Sequence, residues 1–162
     1  MITTDRLHFR QMTPGDLDDM AALLGSPEVM LYYPRPRTRA EAQHWIDWNL
    51  GLYAEHGFGL WILSLRSSGE FVGDCGLTYQ QVDGVTELEI GYHVRADLQG
   101  LGLATEAASA VRDHARDTLH APRLTAIINP ANTPSQRVAT KIGLKLEKRS
   151  TTDQLIFATS FT

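Results

Sequence analysis

The spacing of apolar and polar positions predicts that helices come first in this chain. Apolar residues recur at helical spacing within residues 13–24, and Thr13 stands where an N-cap is expected. Residues 38–53 repeat the pattern, with Thr38 and Glu41 at the spacing of a capping box. Both segments are therefore predicted to be amphipathic helices.

The rest of the chain combines strand patterns with two further helices. Strands are predicted at residues 59–66, 71–79, 86–94, 123–130, 144–152 and 154–161. The turn sequences SSGE and VDGV separate the first three of these strands, which predicts two hairpins. Helices are predicted after the glycine pair near residue 100, ending before Pro122, and over residues 133–143. This order predicts one α+β domain over residues 1–162, built on a mixed sheet.

Composition narrows the class of protein without identifying it. The chain has 162 residues, a formal net charge of −4 and 43% apolar residues, which gives no support to nucleic-acid binding. Its start has no apolar stretch of signal-peptide type, and its most apolar stretch, residues 58–65, is too short to span a bilayer. A single cysteine, Cys75, excludes an intramolecular disulfide framework, and the histidines lack metal-ligand spacing. We therefore expect a cytoplasmic protein with no metal and no membrane partner.

Two glycines, Gly100 and Gly102, stand between a predicted strand and a predicted helix. Glycines allow a tight turn, and the free N–H groups at a helix start bind anionic oxygens. A dinucleotide and the pyrophosphate of coenzyme A both fit this pattern, as does a glycine turn that caps the helix and holds no ligand. The dinucleotide fingerprint needs a third glycine where Thr105 stands, and no Gly-Lys-Ser/Thr follows as a Walker loop requires.

Four stretches of this sequence carry a resemblance to a known family. Residues 99–104, QGLGLA, match the Gln/Arg-x-x-Gly-x-Gly/Ala pyrophosphate signature of the GNAT N-acetyltransferase superfamily. Residues 4–33, 88–94 and 129–144 resemble, in order and spacing, its RimJ/RimL-like branch of ribosomal-protein N-terminal acetyltransferases. The resemblance implies the GNAT fold, a mixed sheet splayed between its fourth and fifth strands. Acetyl-CoA then lies between the strands at 86–94 and 123–129.

The same resemblance implies which residues bind the cofactor. Backbone groups of one strand pair with pantetheine, the glycine turn cradles the pyrophosphate, and an asparagine of the NPANTPS loop contacts coenzyme A. In this sequence they are Tyr92, His93, Val94, Gln99, Gly100, Leu101, Gly102, Leu103, Ala104, Thr105 and Asn132. Asn132 has an alternative role in satisfying the loop backbone.

Glu89 is the leading candidate for the general base that removes a proton from an attacking amine. Strand alternation places it on one face with Glu87 and His93, where burial and the charge of Glu87 are expected to raise its pKa. Its place in LEIGY resembles that of the glutamate assigned as base in family members. A solvated or structurally paired carboxylate is the alternative, and His93 is a rival base.

The acid that protonates the departing thiolate is harder to place. Many superfamily members carry a tyrosine where this chain has Ala139. Ser135 fits the serine of the ribosomal-protein branch, although a serine in the first turn of a helix also serves as an ordinary helix-start residue.

The acceptor wall is expected between the two early helices. Tyr32, Tyr33, Arg35 and Arg37 lie where family members bind the acceptor, and an arginine there suits a carboxylate or an acidic peptide. Trp45 and Trp48 either line this wall or pack in the core, and core packing is favoured.

The sequence therefore predicts an acetyl-CoA-dependent N-acetyltransferase that acts by direct attack in a ternary complex. A peptide α-amine, an amino acid, a polyamine and an aminoglycoside all remain open as acceptors, and a homodimer is possible. One alternative is an inactive coenzyme A-binding sensor or interaction module. Nicotinamide or flavin binding is a second alternative, which the missing third glycine disfavours.

Overall fold

A computed structural model describes all residues from 1 to 162, which form one seven-stranded mixed sheet with four α-helices. The helices are α1 (Leu17–Leu24), α2 (Arg39–His56), α3 (Leu103–Asp117) and α4 (Thr133–Lys141). The strands are β1 (Leu7–Arg10), β2 (Leu60–Leu65), β3 (Phe71–Val82), β4 (Val85–Val94), β5 (Arg123–Ile128), β6 (Lys145–Arg149) and β7 (Leu155–Ser160). Their order across the sheet is β1-β2-β3-β4-β5-β7-β6.

The predicted helix starts are confirmed, with one difference in local geometry. The Thr38 hydroxyl accepts from the N–H of Glu41 at 3.2 Å, and the Glu41 carboxylate accepts from the N–H of Thr38 at 2.9 Å, which completes the capping box of α2. The helix predicted over residues 13–24 begins with a tighter 3-10 turn, Pro14–Asp16, before α1.

Two hairpins order the centre of the sheet, as predicted. The β3–β4 hairpin closes through Asp83 and Gly84, whose φ angles of 50° and 82° suit a two-residue turn that follows the sheet's twist. Because the turn is so short, β3 and β4 extend to Val82 and Val85, beyond the predicted ends. This register sets Asp74 opposite His93.

Helices cover both faces of the sheet. Neighbouring residues of β4 point to opposite faces: Tyr92 meets Ser135 of α4, whereas His93 packs against Trp45 of α2. Ala107, Ala108 and Val111 of α3 are buried. The helix pair α1–α2 therefore lies on one face and the pair α3–α4 on the other. No helix combines the length and the apolar character that a membrane span requires.

The sheet opens between β4 and β5. These parallel strands share one register pair, Glu89 with Thr125, and the Thr125 hydroxyl donates to the Leu88 carbonyl at 3.0 Å. Toward Val94 and Ile128 no further pair joins them. The two strands therefore splay toward their carboxyl ends, and Glu89 lies where they are still in contact.

Candidate active site

The loop between α1 and α2 crosses the mouth of this opening. The Tyr33 hydroxyl lies 3.1 Å from Nε2 of His93 on β4, and the Tyr32 carbonyl accepts from the Asn129 side chain at 3.1 Å. Asn129 directly follows β5, so the loop touches both splayed strands. The predicted wall residues Tyr32 and Tyr33 therefore lie at the cleft.

The glycine turn presents a row of unpaired donors beside the cleft. Gly100 and Gly102 have φ angles of 79° and 80°, which favour glycine, and Gly102 is the N-cap of α3. The first N–H that bonds back into the helix is that of Glu106, which donates to the Gly102 carbonyl at 3.1 Å. The N–H groups of residues 100–105 have no acceptor within the chain. Unpaired donors of this kind, together with the helix dipole, favour the binding of an anion.

Side chains from distant parts of the chain hold the turn in place. Arg6 donates from Nε to Glu106 at 2.7 Å and from Nη1 to the Leu101 carbonyl at 2.8 Å. The Gln99 amide donates to the Val94 carbonyl at 3.0 Å, so Gln99 supports the turn from within. Burial acts to raise the pKa of Glu106, but hydrogen bonds from Thr4 and Arg6 outweigh it, and the pKa is lowered.

Glu89 has the environment of a general base. Its side chain is half-buried and has no hydrogen-bond partner within the chain. Burial raises the pKa of Glu89 to about 7, opposed by the charge of His93. The expected contribution of Glu87 to this shift is wrong, because the Arg123 guanidinium binds the Glu87 carboxylate at 3.0 Å and counters its charge.

A buried polar network lies on the same face of β4 as Glu89. His93 Nδ1 lies 2.8 Å from a carboxylate oxygen of Asp74, and the Trp45 indole N–H donates to the other oxygen at 3.1 Å. The Tyr33 hydroxyl completes the line at His93 Nε2. Asp74 is completely buried and was not singled out in the sequence.

On the opposite face, Ser135 and Tyr92 form a hydroxyl pair. Their oxygens lie 2.8 Å apart, and burial raises the pKa of Tyr92 to about 12. The N–H of Ser135 donates to the side-chain oxygen of Asn132 at 3.1 Å, so Asn132 is the N-cap of α4. Ala139 lies buried on the same helix. Ser135 and Tyr92 are thus the hydroxyls that α4 and β4 bring together.

Comparison with known proteins decides the family. The family model of the acetyltransferase (GNAT) domain matches residues 6–145. The chain belongs to the GNAT acetyltransferase family. As a GNAT protein it is 36% identical over 148 residues to the "Uncharacterized protein YkkB" of Bacillus subtilis (strain 168), covering 91% of this chain and 86% of that protein. The family assignment makes it an enzyme, an acetyltransferase, with the GNAT fold that the resemblance implied.

Solved structures agree with this assignment. An acetyltransferase from Agrobacterium tumefaciens str. C58 superimposes with a TM-score of 0.86 at 27% identity, covering 98% of this chain and 92% of that one. RimL, a ribosomal L7/L12 alpha-N-protein acetyltransferase in complex with coenzyme A, shares the fold at a TM-score of 0.74 and 16% identity. That alignment covers 97% of this chain and 95% of RimL.

Within this GNAT domain, the predicted arginines of the acceptor wall are engaged elsewhere. Both terminal nitrogens of Arg35 bind the carboxylate of Glu41, at 2.6 and 2.8 Å, and Arg37 lies 3.5 Å from it. Trp45 packs against the core, as favoured, whereas Trp48 is exposed at the surface. A role for Arg35 in acceptor binding stays a prediction, which requires its release from Glu41.

The GNAT site also includes residues that the sequence did not single out for a role. Arg6 and Glu106 fix the glycine turn although about a hundred positions separate them in the chain. Asp74 was detectable, because counting back along both strands from the Asp83–Gly84 turn pairs it with His93. No group of His, Cys, Asp and Glu side chains has the arrangement of a metal site.

Proposed function

We propose that this GNAT enzyme transfers the acetyl group of acetyl-CoA to a primary amine by direct attack in a ternary complex. One observation carries the proposal: the row of free N–H groups at residues 100–105 adjoins an opening in the sheet that has Glu89 at its closed end. The arrangement combines an anion site, a slot and a base in one cleft. The amine belongs to a protein N-terminus or to a small molecule.

The residues present fit coenzyme A in two places. The donors at residues 100–105 suit a pyrophosphate. On the side of β4 that faces β5, Tyr92, His93 and Val94 have no paired strand, so this edge suits the amide groups of pantetheine. The coenzyme A complex of the structural neighbour RimL supports this choice. When bound, acetyl-CoA supplies an activated thioester, and the protein supplies the proton transfers.

Glu89 serves as the general base in this proposal. A protonated amine has no lone pair, so a proton must leave before the amine attacks the thioester. A carboxylate with a pKa of about 7 is substantially ionised at neutral pH yet basic enough to accept that proton. Its lack of a partner within the chain leaves both oxygens free for an amine or an intervening water.

Ser135 serves the departing thiolate. Its hydroxyl pairs with that of Tyr92 on the α3–α4 face, which is the face of the pyrophosphate turn. Because the Tyr92 pKa is raised, that phenol keeps its proton at neutral pH and can donate a hydrogen bond to the Ser135 oxygen, which leaves the Ser135 hydroxyl hydrogen for the thiolate. The pair thereby supplies the proton-donating function that Ala139 lacks.

The proposal is tested by binding and turnover on the wild-type protein. Acetyl-CoA is expected to raise the melting temperature by mass action, and NAD is not. Thiol release from acetyl-CoA should then depend on an added amine in a panel of a peptide, an amino acid, a polyamine and an aminoglycoside. Binding of acetyl-CoA without amine-dependent thiol release from any of them would favour the inactive sensor. A melting temperature that does not change when acetyl-CoA is added contradicts both the proposed enzyme and the inactive sensor.

Replacing Ser135 with alanine separates its two roles. If the hydroxyl serves the thiolate, kcat falls by about tenfold or more while acetyl-CoA affinity changes little. If Ser135 only supports the helix start, its replacement should instead cost about 0.5–2 kcal/mol of stability and leave kcat unchanged. Unfolding, affinity and turnover measured on the one variant distinguish these results, with Thr133→Ala at the same helix start as the control.

A further inference from the structure

Asp74 is a buried carboxylate with both oxygens satisfied. One oxygen faces His93 Nδ1 at 2.8 Å and the other accepts from the Trp45 indole N–H at 3.1 Å. Its side chain is inaccessible to solvent, and a buried charge of this kind is tolerated only when such donors meet it. Asp74 therefore fixes the orientation of the His93 ring.

This contact also fixes which nitrogen of His93 carries the proton. An ionised carboxylate only accepts, so Nδ1 carries the hydrogen that faces Asp74. In the neutral ring Nε2 is then an acceptor, and the Tyr33 hydroxyl, 3.1 Å away, donates to it. The lone pairs of the Tyr33 oxygen remain free to accept a hydrogen bond from another molecule.

Tyr33 lies at the cleft. Tyr33 is 43% exposed, unlike Asp74 and His93, and its neighbour Tyr32 is tied to Asn129 at the end of β5. Glu89 and His93 share one face of β4, and burial together with the charges of Asp74 and Glu89 raises the pKa of Tyr33. The hydrogen-bonded chain from Asp74 through His93 to Tyr33 thus runs from the buried interior to the cleft, on the face of β4 that carries Glu89.

Acetylation of an ammonium group needs more than one proton acceptor. The nitrogen loses two protons on the way to the amide, one before attack and one as the amide forms. One proton ends on the thiol of coenzyme A and one reaches solvent. Glu89 by itself accepts one proton at a time.

We propose that Tyr33 is a catalytic residue and that Asp74, His93 and Tyr33 form a second proton-accepting path, which rests on the proposed function. The amine N–H bond breaks as its hydrogen moves to the Tyr33 oxygen. The original Tyr33 hydrogen moves at the same time to His93 Nε2, so Tyr33 stays a neutral phenol. The imidazolium charge is opposed by Asp74. No electron is transferred, and His93 later returns its proton to solvent through the same hydroxyl.

Few charged groups lie around the path from Asp74 to Tyr33. Asp74 faces His93 from β3, Glu89 lies along β4, and the loop contributes Tyr33 and the positive charge of Arg37, while α2 contributes the neutral Trp45. Each of the two paths accepts one of the two protons that the nitrogen loses. The rate of the wild-type enzyme is therefore expected to rise with a slope of two in log rate per pH unit at low pH.

Tyr33→Phe tests the path, because it keeps the ring against His93, 5.6 Å between centroids, and removes only the hydroxyl. The expected result is a fall in kcat of about 10²-fold at unchanged KM for acetyl-CoA. The low-pH slope should also drop from two to one, since only the path through Glu89 then accepts a proton. Tyr79→Phe is the matched control, as Tyr79 is similarly exposed and its hydroxyl has no partner.

Asp74→Asn provides a second variant. The amide keeps the size of the carboxylate but removes the charge that opposes the imidazolium, and it should reproduce the change of slope. A Tyr33→Phe enzyme with wild-type kcat and a slope of two overturns the path and leaves the proposed function intact. Wild-type enzyme without amine-dependent thiol release overturns the proposed function, and the path with it.

Discussion

Glu89→Gln is expected to lower turnover by about 10²–10⁴-fold and to leave acetyl-CoA binding close to that of the wild type. Glutamine has nearly the same volume but cannot accept a proton, so the amine loses its general base. The binding contacts proposed for coenzyme A lie along the edge of β4 and at the glycine turn, away from this side chain. Turnover is measured by thiol release and affinity by titration on the same preparation.

The deficit of Glu89→Gln depends on pH in a defined direction. The wild-type rate should rise through pH 7, where Glu89 ionises, and the deficit of the variant should shrink at high pH, where the amine loses its proton unaided. Glu87→Gln is the matched control, because Glu87 lies on the same strand face but is bound to Arg123. A Glu89→Gln enzyme with wild-type turnover at neutral pH would move the role of base elsewhere.

The raised pKa of Glu89 also has a stability signature. Its pKa lies near 4.5 in an unfolded chain and at about 7 in the fold, so the folded protein holds the proton more tightly. The stabilisation is complete below pH 4.5 and is lost as the pH rises to about 7. Glu89→Gln should therefore lose less stability than the wild type over that range.

The second large effect is expected from Gly102→Asp, which should abolish the stabilisation by acetyl-CoA. Gly102 has a φ of 80° and caps α3 among the free N–H groups, so a carboxylate there repels the pyrophosphate and occupies its place. An added Cβ also meets Arg6 Nη2 at 3.4 Å, near the contact that fixes the turn. Affinity is measured by titration calorimetry and by the melting temperature with and without acetyl-CoA.

A matched control separates lost binding from backbone strain. Gly69→Asp places the same residue at a φ of 75° in the β2–β3 turn, where nothing lies within 4 Å. It should cost a comparable amount of stability, about 1–2 kcal/mol, and keep acetyl-CoA binding. Unchanged affinity in Gly102→Asp contradicts the assignment of the turn to the pyrophosphate.

The helices and hairpins could be predicted because their signals are local. The Thr38–Glu41 capping box and the Asp83–Gly84 turn each lie within a few residues, and each is found where the sequence placed it. The turn also sets the register of a long hairpin, which places Asp74 opposite His93. Strand alternation alone was enough to place Glu89 and His93 on one face.

Contacts between distant segments were beyond the reach of sequence patterns. Nothing near Glu87 in the sequence shows that Arg123 binds it, so its effect on Glu89 was misjudged. The salt bridge between Arg6 and Glu106 and the single register pair between β4 and β5 likewise depend on how separate elements pack. The splay itself came from family resemblance, because hydrophobic periodicity is the same for strands that pair along their length and strands that diverge.

The single Glu89–Thr125 register pair divides the sheet into two parts, β1 to β4 and β5 to β7, which are otherwise held together by side-chain contacts such as Arg123–Glu87 and Asn129–Tyr32. A ligand whose amides pair with the edge of β4 would add backbone hydrogen bonds at this opening. Ligand binding would therefore also make the sheet more rigid. Amide hydrogens along the open edges should then exchange on a timescale set by ligand occupancy rather than by global unfolding. On this proposal, the bound ligand completes the hydrogen bonding that the sheet leaves open between β4 and β5.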